Sequence, residues 1–177
     1  MRDHGVQLYQ EEEDLAAALT RFVGAGLALG QGVVFLGSTA RWQATTERLR
    51  GAGVDTHGAV LGGQLRLFGA KVVLSGCMRH GVPERAAFNE SIGGILQRMR
   101  ARYPVLRVFA GLSDELWTGG KREAAGAIER FWNTLEPPIR DTKRRDNNSL
   151  CRDAWTCLKQ QVLSVVTIDT HLYGTSI

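Results

Sequence analysis

The stretch Tyr9–Ser38, YQEEEDLAAALTRFVGAGLALGQGVVFLGS, reads as a turn, a helix and a buried strand. Leu15, Ala18, Leu19, Phe22, Val23 and Leu27 follow the three-four-seven spacing of one buried helix face, predicting a helix over 12–29. Gly30 ends it, as glycine often does after a helix. GVVFLG at 32–37 is a continuous apolar run, the pattern of a strand covered on both faces. Nucleotide-binding α/β domains use this arrangement near their phosphate site. Here Glu11, Glu12 and Glu13 stand where glycines and a lysine would be needed.

Outward from this unit, strands alternate with helices. GVQLY at 5–9 precedes it as a first strand. Ser38 or Thr39 can cap a helix over about 40–51, stopped by Gly51 and Gly53. QLRLF at 64–68 is a further strand. The region 83–103 reads as one helix with Phe88, Ile92, Ile95, Leu96, Met99 and Tyr103 on a single face. VLRVFAG at 105–111 is another buried strand. The region 121–136 is a helix carrying Ala124, Ile128, Phe131, Trp132 and Leu135 on one face, and Pro137–Pro138 end it. Such alternation requires crossover connections, so the expected fold is α/β, a mostly parallel sheet flanked by helices.

The chain divides at about residue 138. Residues 1–138 form the expected domain. Residues 139–177 form a polar, irregular tail, in which VLSVVTI at 162–168 can be a last strand or an ordered extension.

Composition narrows the function. The 177 residues are 44% hydrophobic and 23% charged, ordinary for a globular protein with a sizeable core. The net charge of +4 comes from arginines set beside acids, as a solvated surface would have them, so no direct nucleic-acid partner is expected. No apolar run approaches the ~20 residues of a membrane span, and no secretory h-region opens the chain. Cys77, Cys151 and Cys157 are an odd set, expected as reduced thiols in a cytoplasmic protein. The spacing of Cys151 and Cys157 does not fit a zinc knuckle, so no metal is expected.

The acids at the phosphate corner have a plain use. Carboxylates complement the positive end of a helix. They also oppose a polyphosphate, at about 4 kcal/mol per contact at ~4 Å and an effective dielectric near ~20. Consecutive helical residues point about 100° apart, so the triplet does not converge on a magnesium ion. No Ser–His–Asp or Cys–His set can be assembled from the spacing. A Walker B acid would directly follow the apolar run, whereas Gly111, Leu112 and Ser113 separate Asp114 from it.

The ordered set of segments resembles a known family. A histidine and a short strand ending in an aromatic (His4 to Tyr9) are followed by an acidic stretch, a G-x-x-V strand (Gly30 to Leu36), L-x-x-x-G-V-D (Leu49 to Asp55) and G-Q-L (Gly63 to Leu65). LWTGGKREA and ERFWNTL follow later. Over residues 4–136 this is similar to the MEDS family, the methanogen/methylotroph DcmR-type sensory domain. The resemblance implies a RecA/KaiC-like three-layer architecture with a degenerate nucleotide site. It also implies a non-catalytic, cofactor-free input domain. Such a domain senses a small, mostly apolar ligand and signals to a histidine kinase or DNA-binding regulator in trans, in two-component signalling or transcription regulation. The alternatives are a divergent nucleotide binder or ATPase, and a docking module without a ligand. Where members often carry G-E-M, this chain has Ala110, Gly111 and Leu112.

Ligands of open α/β sheets collect beyond the carboxyl ends of the strands. His4, Tyr9, Ser38, Thr39, Phe68 and Asp114 are therefore the expected ligand-binding residues.

Overall fold

The computed structural model describes residues 2–9, 11–135 and 161–168, of which 2–9 and 161–168 are described as backbone. It is a three-layer α/β fold. The strands are β1 (Arg2–Tyr9), β2 (Gly32–Gly37), β3 (Leu65–Gly69), the short hairpin pair β4 (Met78–Arg79) and β5 (Val82–Pro83), β6 (Leu106–Ala110) and β7 (Gln161–Ile168). The helices are α1 (Glu12–Ala28), α2 (Thr39–Gly51), α3 (Thr56–Leu61), α4 (Ala70–Cys77), α5 (Arg85–Phe88), α6 (Gly94–Arg100), α7 (Leu112–Thr118) and α8 (Arg122–Thr134).

The main sheet has the order β1-β7-β6-β2-β3. β6, β2 and β3 are parallel, with Val34 opposite both Arg66 and Val108. β7 pairs antiparallel with β6 on one side and β1 on the other, so it alone opposes the common direction. The run at 161–168 is therefore an inner strand of the sheet.

Alternation along β2 builds both cores. Val34 and Leu36 point to the layer of α4 to α8, where Phe88, Ile92, Leu112, Ile128 and Trp132 are buried. Val33 and Phe35 point to α1 and α2, against Leu15, Leu19, Val23 and Leu49. A strand buried on both faces has no polar side, which is why GVVFLG contains none. Arg107 ties α1 to β6. Its Nε donates to Gln31 Oε1 at 2.6 Å, its Nη1 donates to the Phe22 carbonyl, and burial lowers its pKa from the ordinary value.

Three local expectations change. Pro83 lies in β5, and the helix expected over 83–103 starts at Arg85 and contains a π-helical turn over Asn89–Gly93. That turn runs into Gly93–Gly94, and glycine has the weakest helix preference of any residue but proline. Two helices, α3 and α4, were not expected. α3 is a single short turn capped by Asp55, and α4 is too short to show a clear period. His80 and Gly81 both have positive φ, 52° and 80°, so β4 and β5 join through a tight hairpin of the kind that favours glycine.

Candidate functional site

The carboxyl ends of β1, β2, β3 and β6 lie along one edge of the sheet. At its centre, β2 stops at Gly37 and β6 is followed by Gly111, whose N–H donates to the Leu36 carbonyl at 2.7 Å. A Cβ on Gly37 would meet the rings of Phe35 at 2.6 Å and Phe109 at 3.0 Å. Glycine lets these aromatics close the core directly beneath the strand end.

Beside Gly111 lies the Arg41 guanidinium, whose Nη1 would stand 3.4 Å from a Cβ there. Ser38 caps α2, its Oγ accepting from the Arg41 N–H at 3.3 Å, and this fixes Arg41 in the first turn. The side chain reaches across the edge in both directions. Nη1 is 2.6 Å from Asp114 Oδ2 on α7. Nη2 donates to Glu12 Oε1 at 2.8 Å, and Nε donates to Glu12 Oε2 at 3.3 Å, on α1. The environments differ sharply. The side chain of Arg41 is 13% exposed and that of Asp114 6%, whereas that of Glu12 is 62% exposed. Beside this network, Arg48 of α2 pairs with Glu13. Within the acidic corner, Glu12 and Glu13 are therefore each paired with an arginine of α2.

A cleft of about 360 Å³ opens between α1 and α2 at this corner. Leu15, Ala16, Leu19, Ala40 and Ala44 supply its apolar lining. Glu12, Glu13, Ser38 and Arg41 supply its polar groups. A second groove, of about 490 Å³, lies at the opposite edge beside Leu27, Asp55, Gln64 and Tyr103. There Tyr103 precedes β6 and Gln64 precedes β3, so it faces the amino ends of the strands.

The expected site residues are not all brought together. Ser38 lines the α1–α2 cleft, and Thr39 is exposed at the first turn of α2. Asp114 does not line the cleft and meets it through Arg41. Phe68 packs on the other side of the sheet, against the core beneath α4 and α7. Tyr9 stands at the carboxyl end of β1 opposite Gln161, and His4 lies farther back opposite Val166. Cys151 and Cys157 lie outside the described residues. Cys77 is buried, which raises its thiol pKa, opposed by a hydrogen bond with Ser91.

Arg41 was not read from the sequence, although a signal was present. A cation in the first turn opposes the helix dipole, so it calls for a carboxylate partner from elsewhere. α2 has no acid in its own first turn, and the partners come from α1 and α7.

Two positions separate the last residue of β1 from the first of α1, too few for a loop of successive N–H groups around a phosphate. Among the described residues no group of His, Cys, Asp and Glu could hold a metal ion, and no helix is long and apolar enough to cross a membrane. The fold and the site define a three-layer α/β domain with a small cleft at the carboxyl edge. The family model described as MEDS, MEthanogen/methylotroph, DcmR Sensory domain, matches residues 3–140, and the chain belongs to this family of sensory domains. No curated protein and no solved structure matches the chain significantly.

Proposed function

We propose that the chain is a non-catalytic, cytoplasmic signal-input domain that senses a small, mostly apolar ligand in the α1–α2 cleft. The output is passed to a histidine kinase or DNA-binding regulator in trans. The observation that carries this reading is the cleft itself. Its volume of about 360 Å³ falls in the roughly 300–1,000 Å³ range of small-molecule sites, and an apolar lining with few polar groups is their usual chemistry. Membership of a sensory-domain family supports the input role. Ser38 and Thr39 at the start of α2, with Tyr9 at the end of β1, are the proposed ligand-side residues. Asp114 acts by holding Arg41. The degenerate phosphate corner is the part of the scaffold this reading leaves unused.

The test is calorimetric titration with short-chain alcohols and ketones. Saturable binding should appear in the wild type and vanish in Ala44→Trp, whose indole would fill the cleft from an exposed helix position. Tyr9→Ala and Ser38→Ala should weaken binding more than they lower unfolding stability. MgATP should show no saturable binding below the millimolar range and no turnover. Tight ATP binding with hydrolysis would overturn the sensory reading in favour of an ATPase. Undiminished ligand binding in Ala44→Trp would move the site away from this cleft.

A further inference from the structure

We infer that the ligand of the α1–α2 cleft is a short-chain carboxylate, whose head group replaces Glu12 on Arg41 while its alkyl chain lies along the apolar lining. The inference rests on the sensory reading above and names the ligand class.

The argument begins with the asymmetry around the guanidinium. Asp114 is buried and holds Arg41 from the α7 side at 2.6 Å. Breaking a buried ion pair is costly, so Asp114 keeps Arg41 in place. Glu12 is different. It meets Arg41 through both carboxylate oxygens, yet it is exposed and sits in the first turn of α1. The Glu12 side of the pair is open to solvent, so water takes up the released carboxylate at little cost. The cleft thus presents an arginine that one carboxylate anchors permanently and a second holds exchangeably.

The replacing group is constrained by geometry. Arg41 meets Glu12 through Nε and Nη2, the forked pattern that guanidinium makes with a carboxylate. A ligand carboxylate can reproduce both bonds. A neutral alcohol offers a single acceptor atom and would leave part of that hydrogen bonding unmet. Ser38 adds a second polar contact. Its Oγ accepts from the Arg41 N–H, leaving its O–H as a donor at the cleft wall. Below the head group, Leu15, Ala16, Leu19 and Ala44 offer only carbon, which suits an unbranched alkyl tail. The pairing of Glu13 with Arg48 offsets one of the acidic charges an entering anion meets.

The test compares sodium hexanoate with 1-hexanol by calorimetry at low salt, on the wild type, Glu12→Gln, Ser38→Ala, Arg41→Met and Ala44→Trp. Hexanoate should bind more tightly than hexanol to the wild type. Glu12→Gln should tighten hexanoate by up to about fivefold, since the head group no longer displaces a carboxylate, and should change hexanol less. Ser38→Ala should weaken hexanoate, and Ala44→Trp should abolish both. Arg41→Met should lose hexanoate; if that variant is unfolded by circular dichroism, Glu12→Gln and Ser38→Ala decide. Hexanol binding as tightly as hexanoate, or no response to Glu12→Gln, overturns the carboxylate assignment and leaves the sensory reading standing. If neither these compounds nor the neutral panel binds, both fall.

Discussion

At the scale of single residues, Arg41 organises the carboxyl edge. It is largely buried between a buried and an exposed carboxylate, and its backbone is fixed by the Ser38 cap. Breaking a buried pair by removing one member typically costs about 3–5 kcal/mol, whereas replacing both members by neutral groups costs far less. Arg41→Met should therefore lower unfolding stability by about 3–5 kcal/mol. Adding Asp114→Asn should recover a large part of that loss. Urea unfolding of the two single variants and the double variant checks this, and additive losses would show that the pair is not coupled. Gly37 is a second decisive residue. Its missing Cβ is the space in which the Phe35 and Phe109 rings meet. Gly37→Ala forces those rings aside and should cost about 1–3 kcal/mol.

At the scale of elements, the least regular piece is the helical run from Arg85 to Arg100. A π-helical turn over Asn89–Gly93 interrupts it, followed by Gly94. A Cβ on Gly93 would meet nothing within 4 Å, and one on Gly94 would come no closer than 3.5 Å to Arg98 Nη1. Both glycines have ordinary helical φ, near −57° and −62°. Alanine fits at either place and restricts the unfolded chain. Gly93→Ala and Gly94→Ala should each stabilise the protein by about 0.4–1 kcal/mol, read as a raised thermal midpoint. Destabilisation instead would mean that the π turn needs glycine's freedom.

At the scale of the whole molecule, the sheet is completed by its last strand. β7 stands between β1 and β6, and it is the paired neighbour that joins β1 to the rest of the sheet. The compositional break near residue 138 and the end of the family match at residue 140 suggest a division there. The strand register carries the chain back across that division. A chain ended at Pro138 should therefore lose cooperative unfolding, because β1 would have no partner strand and β6 would expose an unpaired edge. Retained cooperativity, followed by circular dichroism in urea, would show that residues 2–135 fold without β7.

The sequence by itself determined the class of fold and the main elements. Runs such as GVVFLG and the periodic apolar face of α1 are local patterns, dictated by burial on two faces or one, and they fall where they were read. It also excluded a phosphate loop, since that requires particular residues in a row. Tertiary structure decided the site. Ser38 and Asp114 are far apart in sequence and share a site only because Arg41 reaches both, while Phe68 is turned to the opposite side of the sheet. The pairing of Glu12 and Glu13 with arginines of α2 likewise depends on how α1 and α2 pack, which no local pattern records. Local burial leaves a period in the sequence, whereas a long-range ion pair leaves only two charged residues among many.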